Sequence, residues 1–140
     1  MPITGLAHIN LTVPPGTLPL AVEFYSGTLG LKPREVPHLQ KDSLAWFDIA
    51  DSGQQVHVAF EKESDLVSAK SSRHPCFKLS DGQALLELRR KVYEHFERGG
   101  ESAPVAADKP GAEDSGAKGV EYPQRFFARD YAGNRLEFSL

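Results

Sequence analysis

Residues 125–140 read RFFARDYAGNRLEFSL. Residues 125–129 predict a strand, the run Asp130, Tyr131, Ala132, Gly133, Asn134 is turn chemistry, and residues 135–140 predict the returning strand. Side chains alternate along a strand, so Leu136, Phe138 and Leu140 fall on the core face. Arg135, Glu137 and Ser139 fall on the other. A carboxylate thus stands on the polar face, four residues past the turn glycine Gly133.

Working outward, the first half of the chain carries a matching hairpin. Residues 43–49 predict a strand, Asp51, Ser52 and Gly53 a turn, and residues 54–61 the return. Val56, Val58 and Phe60 take the apolar face there, and Gln55, His57, Ala59 and Glu61 the other. His57 lies four residues past Gly53, as Glu137 lies four past Gly133. Each hairpin is preceded by a strand and a helix. In residues 6–13, His8, Asn10 and Thr12 alternate with Ile9, Leu11 and Val13 until Pro14 and Pro15 end the run. A helix follows, with Thr17 as cap, Pro19 in its first turn, an apolar stripe of Leu20, Ala21, Phe24 and Tyr25, and Gly30 as its stop. In residues 74–79, His74, Cys76 and Lys78 alternate with Phe77 and Leu79. Ser80 or Asp81 then caps a helix whose stripe is Leu85, Leu88, Val92 and Phe96, ended by Gly99 and Gly100.

The chain therefore reads as one domain of two modules in pseudo-twofold repeat, about 4–62 and about 72–140, of the α+β class. The polar, Pro-containing stretch after the first helix reads as loop. Residues 101–122, poor in large apolar side chains, read as a flexible surface insertion or a lid. His38 and His95 have no counterpart in the repeat and are expected on the surface. Trp46, Phe47, Phe126 and Phe127 are expected mostly in the core.

The bulk composition narrows the function. At 140 residues the chain can bury a core without disulfides, and Cys76, the only cysteine, points to a reducing, cytoplasmic compartment. A formal charge of −3 offers no basic footprint for nucleic acid. No stretch approaches the roughly 20 apolar residues of a membrane span, and the opening MPITGLAHINLTV lacks the pattern of a secretory signal. A small-molecule substrate is the expected partner.

His8, His57, His74 and Glu137 occupy corresponding positions in the two modules, on faces turned from the core. Three imidazoles and a carboxylate suit a divalent transition metal (Zn, Ni, Mn, Co or Fe), and a subset of three would leave open positions for substrate.

HINLTVPPGTLPLAVEFYSGTLGLKP at the start and RFFARDYAGNRLEF near the end resemble the vicinal oxygen chelate superfamily, which includes glyoxalases, bleomycin-resistance proteins and dioxygenases. The ending is similar to that superfamily's F-x-x-D-P-x-G-N-x-x-E pattern, with Tyr131 where proline is usual. The resemblance implies paired βαβββ modules whose sheets curl around a metal cup, in a homodimer. It also implies His8, His57, His74 and Glu137 as the four ligands of glyoxalase-type members. His8, His74 and Glu137 alone match the ligands of thiol-transferring fosfomycin-resistance proteins and of extradiol dioxygenases. Members that only sequester drugs, a non-catalytic binding role, lack most of these ligands.

Departures from the pattern refine the expectation. Thr12 stands where bacterial glyoxalases carry Arg for glutathione, and Glu61 where they carry Asn, so a glutathione carboxylate would meet a negative side chain. Phe127 stands where extradiol dioxygenases keep Tyr. The residues fit a metal-dependent lyase or isomerase that moves a proton on a small oxygen-rich substrate other than glutathione. Glu137 and His57 are the expected catalytic groups, and Asn10, Thr12, Lys78, Phe127 and Arg135 the expected substrate contacts.

Overall fold

A computed structural model of the chain describes residues 2–62, 70–112 and 124–140. The chain divides into two compact units, Met1–Leu66 and Val67–Leu140, and the division falls between the two expected modules.

The first unit contains β1 (His8–Val13), α1 (Leu18–Ala21) continuing as a π-helix over Val22–Thr28, β2 (Lys32–Arg34), β3 (Leu44–Asp48) and β4 (Gln55–Phe60). Its sheet order is β1-β4-β3-β2, with β1 parallel to β4 and the other neighbours antiparallel. The second unit contains β5 (Cys76–Lys78), α2 (Gly82–Arg98), β6 (Ala106–Ala107), β7 (Arg125–Arg129) and β8 (Arg135–Ser139). Its order, β5-β8-β7-β6, repeats the plan, again with one parallel pair, β5 with β8. Two open βαβββ modules of α+β class result.

Alternation decides which face each strand buries. Val56 and Val58 are fully buried beside Phe47, Val13, Phe24 and Tyr25 in the first unit. Leu136 and Phe138 are buried with Phe126, Leu85 and Val92 in the second, where the Phe126 and Phe138 rings stack at 4.6 Å. Leu140, expected on that core face, is 41 % exposed because it lies past the end of β8.

Helix termini follow their chemistry in one unit and depart from it in the other. Asp81 caps α2, its carboxylate accepting the Ala84 N–H at 2.8 Å. Thr17 does not cap α1: its hydroxyl donates back to the Pro14 carbonyl at 2.6 Å. Past α1 the backbone widens, with Leu29 N–H reaching the Phe24 carbonyl five residues back at 2.9 Å.

Three further expectations are corrected. The stretch after the first helix is not all loop, because Lys32–Arg34 pairs with β3 as an exposed edge strand. Residues 101–112 are not an insertion. Ser102 and Ala103 are buried, Ala106–Ala107 pairs with β7, and Arg89 of α2 donates to the carbonyls of Lys109 and Ala112, each at 2.8 Å. Residues 113–122 of that expected insertion lie outside the described residues. His95 is not on the surface. It is 5 % exposed, 3.3 Å from the Ser102 hydroxyl, and replaces Phe96 in the inward stripe of α2, leaving Phe96 36 % exposed. His38 is exposed.

The β7–β8 turn is held by a buried carboxylate. Asp130, 0 % exposed, accepts from the backbone N–H groups of Ala132 and Asn134 and from the Asn134 side-chain amide, each at 2.9 Å. Gly133 closes the turn at φ +92°, a conformation that a side chain would strain. Gly53 does the same in the β3–β4 turn at φ +77°.

Candidate functional site

The strand registers place the two polar faces in equivalent rows. His57 on β4 lies opposite Asn10 on β1 and Trp46 on β3. Glu137 on β8 lies opposite Cys76 on β5 and Phe127 on β7. His57 thus corresponds to Glu137, Trp46 to Phe127 and Asn10 to Cys76. One row on, the cross-strand pair Gln55 and Asp48 corresponds to Arg135 and Arg129.

In the first unit, His57 is sandwiched between rings. Trp46 stacks on it at 4.4 Å and 9°, and His8 stacks at 3.9 Å and 11°. Trp46 is therefore a half-buried member of the site face rather than of the core. The ring orientation of His57 is set by two further side chains. Gln55 Nε2 donates to Asp48 Oδ1 at 2.8 Å, which turns the amide oxygen of Gln55 toward His57. His57 Nε2–H must then donate to Gln55 Oε1, at 2.8 Å, leaving Nδ1 with the lone pair. Arg34, 3.5 Å from the second Asp48 oxygen, anchors the relay. Partial burial, and then repulsion from His8, hold the His57 imidazole below the usual histidine range. We expect Gln55→Leu to release the tautomer. In ¹⁵N spectra of the imidazoles, wild-type His57 should be protonated at Nε2 alone, and the variant should populate both forms.

In the second unit, Glu137 gathers three partners. Its Oε2 lies 3.0 Å from His74 Nε2, and its Oε1 accepts from Arg125 Nη1 at 3.1 Å. Cys76 also hydrogen-bonds the carboxylate. Burial alone would push Glu137 up, but the bonds from His74, Cys76 and Arg125 and the Arg125 charge hold it below the ordinary carboxylate range. The Cys76 thiol is pushed up to about 11 by local burial and by the Glu137 charge and hydrogen bond, against the pull of Arg125. It is a neutral thiol at pH 7 and a poor nucleophile.

The remaining expected contacts lie on the same two faces. Asn10 is exposed in the His57 row, and Thr12 pairs with Ala59. Lys78, exposed, pairs with Ser139, and Phe127 is 5 % exposed against His74 at 5.6 Å. Arg135 stacks on Phe127. Sequence reading missed Arg125, Gln55 and Asp48 as site members. Parity already placed Gln55 with His57, and the same count places Arg125 beside Phe127. A groove of about 300 Å³ in the first unit, lined by Val22, Pro33, Leu44 and Phe47 among others, also touches Arg34 and Trp46 but none of the site residues expected from the sequence.

Solved structures share this architecture over nearly the whole chain. A glyoxalase family protein from Bacillus anthracis superposes with a TM-score of 0.66 at 23 % identity, covering 97 % of this chain and 93 % of its own. Lactoylglutathione lyase from Agrobacterium tumefaciens gives 0.63 at 17 %, covering 98 % and 93 %. The fosfomycin resistance protein FosX from Listeria monocytogenes, complexed with Mn(II) and sulfate, gives 0.67 at 16 %, covering 98 % and 90 %. The chain has the vicinal oxygen chelate fold. No protein-family model and no curated protein sequence matches it.

Members of this fold crystallised with Mn(II) raise the question whether the donors here suit such an ion. In the second unit they do. His74 Nδ1 lies 2.7 Å from the Ser72 carbonyl, an acceptor, so Nδ1 carries a proton. Its Nε2 faces a second acceptor, Glu137 Oε2. Both contacts are satisfied together only if the imidazole is protonated or if Nε2 and the carboxylate share a cation. Two ligands at right angles on one ion, each about 2.1 Å away, lie about 3.0 Å apart. The backbone carbonyl behind a ligating histidine is the usual orienting partner. In the first unit, the stacked His8 and His57 rings are nearly parallel, and parallel imidazoles cannot aim in-plane lone pairs at one ion. Joint ligation requires His8, which is exposed, to turn. Among the described residues there is no group of three or more His, Cys, Asp or Glu side chains that could hold a metal. Nor is any described helix long and apolar enough to cross a membrane.

Proposed function

We propose that the protein is a glyoxalase-like, metal-dependent enzyme of the lyase or isomerase type, acting on a small oxygen-rich substrate other than glutathione. The observation that carries this reading is the His74–Glu137 pair, with His74 oriented from behind by the Ser72 carbonyl. In this reading His74 and Glu137 are ligands of a divalent transition metal. Bound there, such an ion supplies Lewis acidity toward substrate oxygens.

The protein's own groups divide the remaining work. Arg125 holds one oxygen of Glu137, so the carboxylate stays ionised and aimed. His57, kept neutral by its surroundings and presenting Nδ1, is suited to take or return a substrate proton near pH 7. The aromatic rings of Trp46 and Phe127 restrict water around these two groups. Glu61, on the face of His57, disfavours an acidic tripeptide such as glutathione.

The test has two stages. Equilibrium dialysis of the purified chain against Mn(II), Ni(II), Zn(II) and Co(II) should leave about one ion bound per chain. The loaded protein should then exchange substrate protons with deuterated water in a panel of α-hydroxycarbonyls, thiohemiacetals and acyl thioesters. Bound metal without exchange would make the protein a binding protein, and oxygen uptake with catechols would make it a dioxygenase. Sedimentation of the same sample tests the expected homodimer.

A further inference from the structure

The row next to Glu137 brings two like charges together. Arg129 and Arg135 stand directly opposite each other on β7 and β8, on the same face as Glu137. Like charges directly opposite on antiparallel strands destabilise the pair. The equivalent row of the first unit holds the favourable opposite choice, Asp48 hydrogen-bonded to Gln55. The second unit therefore departs from its own internal template toward positive charge.

The two arginines also differ in what they do. Arg129 donates to the carbonyls of Gly133 at 2.9 Å and Ser71 at 3.0 Å, which fixes it to the backbone. Arg135 lies over the Phe127 ring, 4.4 Å from its centroid, with Arg125 over the same ring at 5.2 Å. A guanidinium seated over an aromatic face keeps its N–H donors for other acceptors. Lys78, in the row on the other side of Glu137, adds a further cation to the face. The face thus carries four cations, Lys78, Arg125, Arg129 and Arg135, against two carboxylates, Glu137, which pairs with Arg125, and Asp108 at the edge, which accepts the Phe127 N–H at 2.8 Å.

We propose that Arg135, backed by Arg129 and seated over the Phe127 ring, binds an oxyanion of the substrate, a carboxylate or a phosphonate. Residues two apart on a strand are roughly 7 Å apart, so the anionic group would sit a few bonds from an atom reacting at Glu137. The substrate is then a small oxygenated acid. This rests on the proposed enzymatic reading for the word substrate, but the oxyanion site itself does not need a bound metal.

The experiment therefore uses the full chain in the presence of EDTA. Methylphosphonate and glycolate are titrated separately, following the amide signals of residues 125–139 by NMR. Both are expected to shift signals around Arg135 and Phe127, and the tighter of the two identifies tetrahedral or planar recognition. Arg135→Gln should weaken binding tenfold or more, and Arg135→Lys, which keeps charge but loses the flat fork, several-fold. Because the like-charge pair is relieved, Arg135→Gln should unfold at the same or a higher urea concentration than wild type. Unchanged affinity in Arg135→Gln, no binding by wild type, or loss of folding in both variants would each overturn the proposal. Failure of the metal reading is scored separately, by metal uptake, and leaves these titrations unaffected.

Discussion

Glu137→Gln should lower Mn(II) affinity by more than about a hundredfold while leaving the fold in place. Removing an outer partner of a metal ligand costs about 10–100-fold, and removing the anionic ligand itself should exceed that. The amide keeps the shape of the carboxylate and one acceptor, so the Arg125 contact survives in weaker form. Arg125 is only 12 % exposed, and weakening its partner should cost about 1–3 kcal/mol of stability. Circular dichroism and a urea titration on the same sample separate that modest loss from the metal effect. Equilibrium dialysis reading within threefold of wild type would remove Glu137 from the ligand set and the proposed chemistry with it. His74→Ala should act in the same direction, since its Nε2 is the other half of the pair.

The second large effect is structural. Asp130→Ala should destabilise the protein by about 3 kcal/mol. The carboxylate is fully buried and satisfies two backbone N–H groups and the Asn134 side-chain amide. Alanine strands these donors without solvent, and the penalty for a buried unsatisfied group exceeds the net value of the bond it replaces. With a urea dependence of about 2 kcal/mol per M, the midpoint should fall by roughly 1.5 M. Asp130→Asn retains an acceptor and should lose less than half as much. Because this turn sets the register of β8, Asp130→Ala should also disturb the Glu137 pair. Metal affinity at low temperature, where the variant remains folded, should therefore fall too. A variant as stable as wild type would show that the turn is held by Gly133 and the strands alone.

Much of the candidate site was legible in the sequence. The period of two along residues 54–61 and 135–140 separated His57 and Glu137 from the core face, and the turn glycines matched their positions across the modules. The elements that escaped reading share one physical property. β2 and β6 are short strands without a large apolar side chain, so no buried face shows in their sequence. Lys32–Arg34 contains a proline and two cations, and Ala106–Ala107 is too short to show any period. His95 escaped because a buried, hydrogen-bonded histidine takes an apolar position without an apolar label.

The sequence by itself determined the repeat, the topology class and the two faces of each central strand, because strand parity and turn chemistry are local. Tertiary structure decided which neighbours act on each candidate group. Gln55 and Asp48 select the proton position on His57, Arg125 and Cys76 reach Glu137, and Arg135 lies over the Phe127 ring. Those relations depend on inter-strand register and side-chain direction, set by pairing between residues up to 63 positions apart, as in His74 and Glu137. Local pattern places a residue on a face, and only the paired strands of the sheet give it a partner.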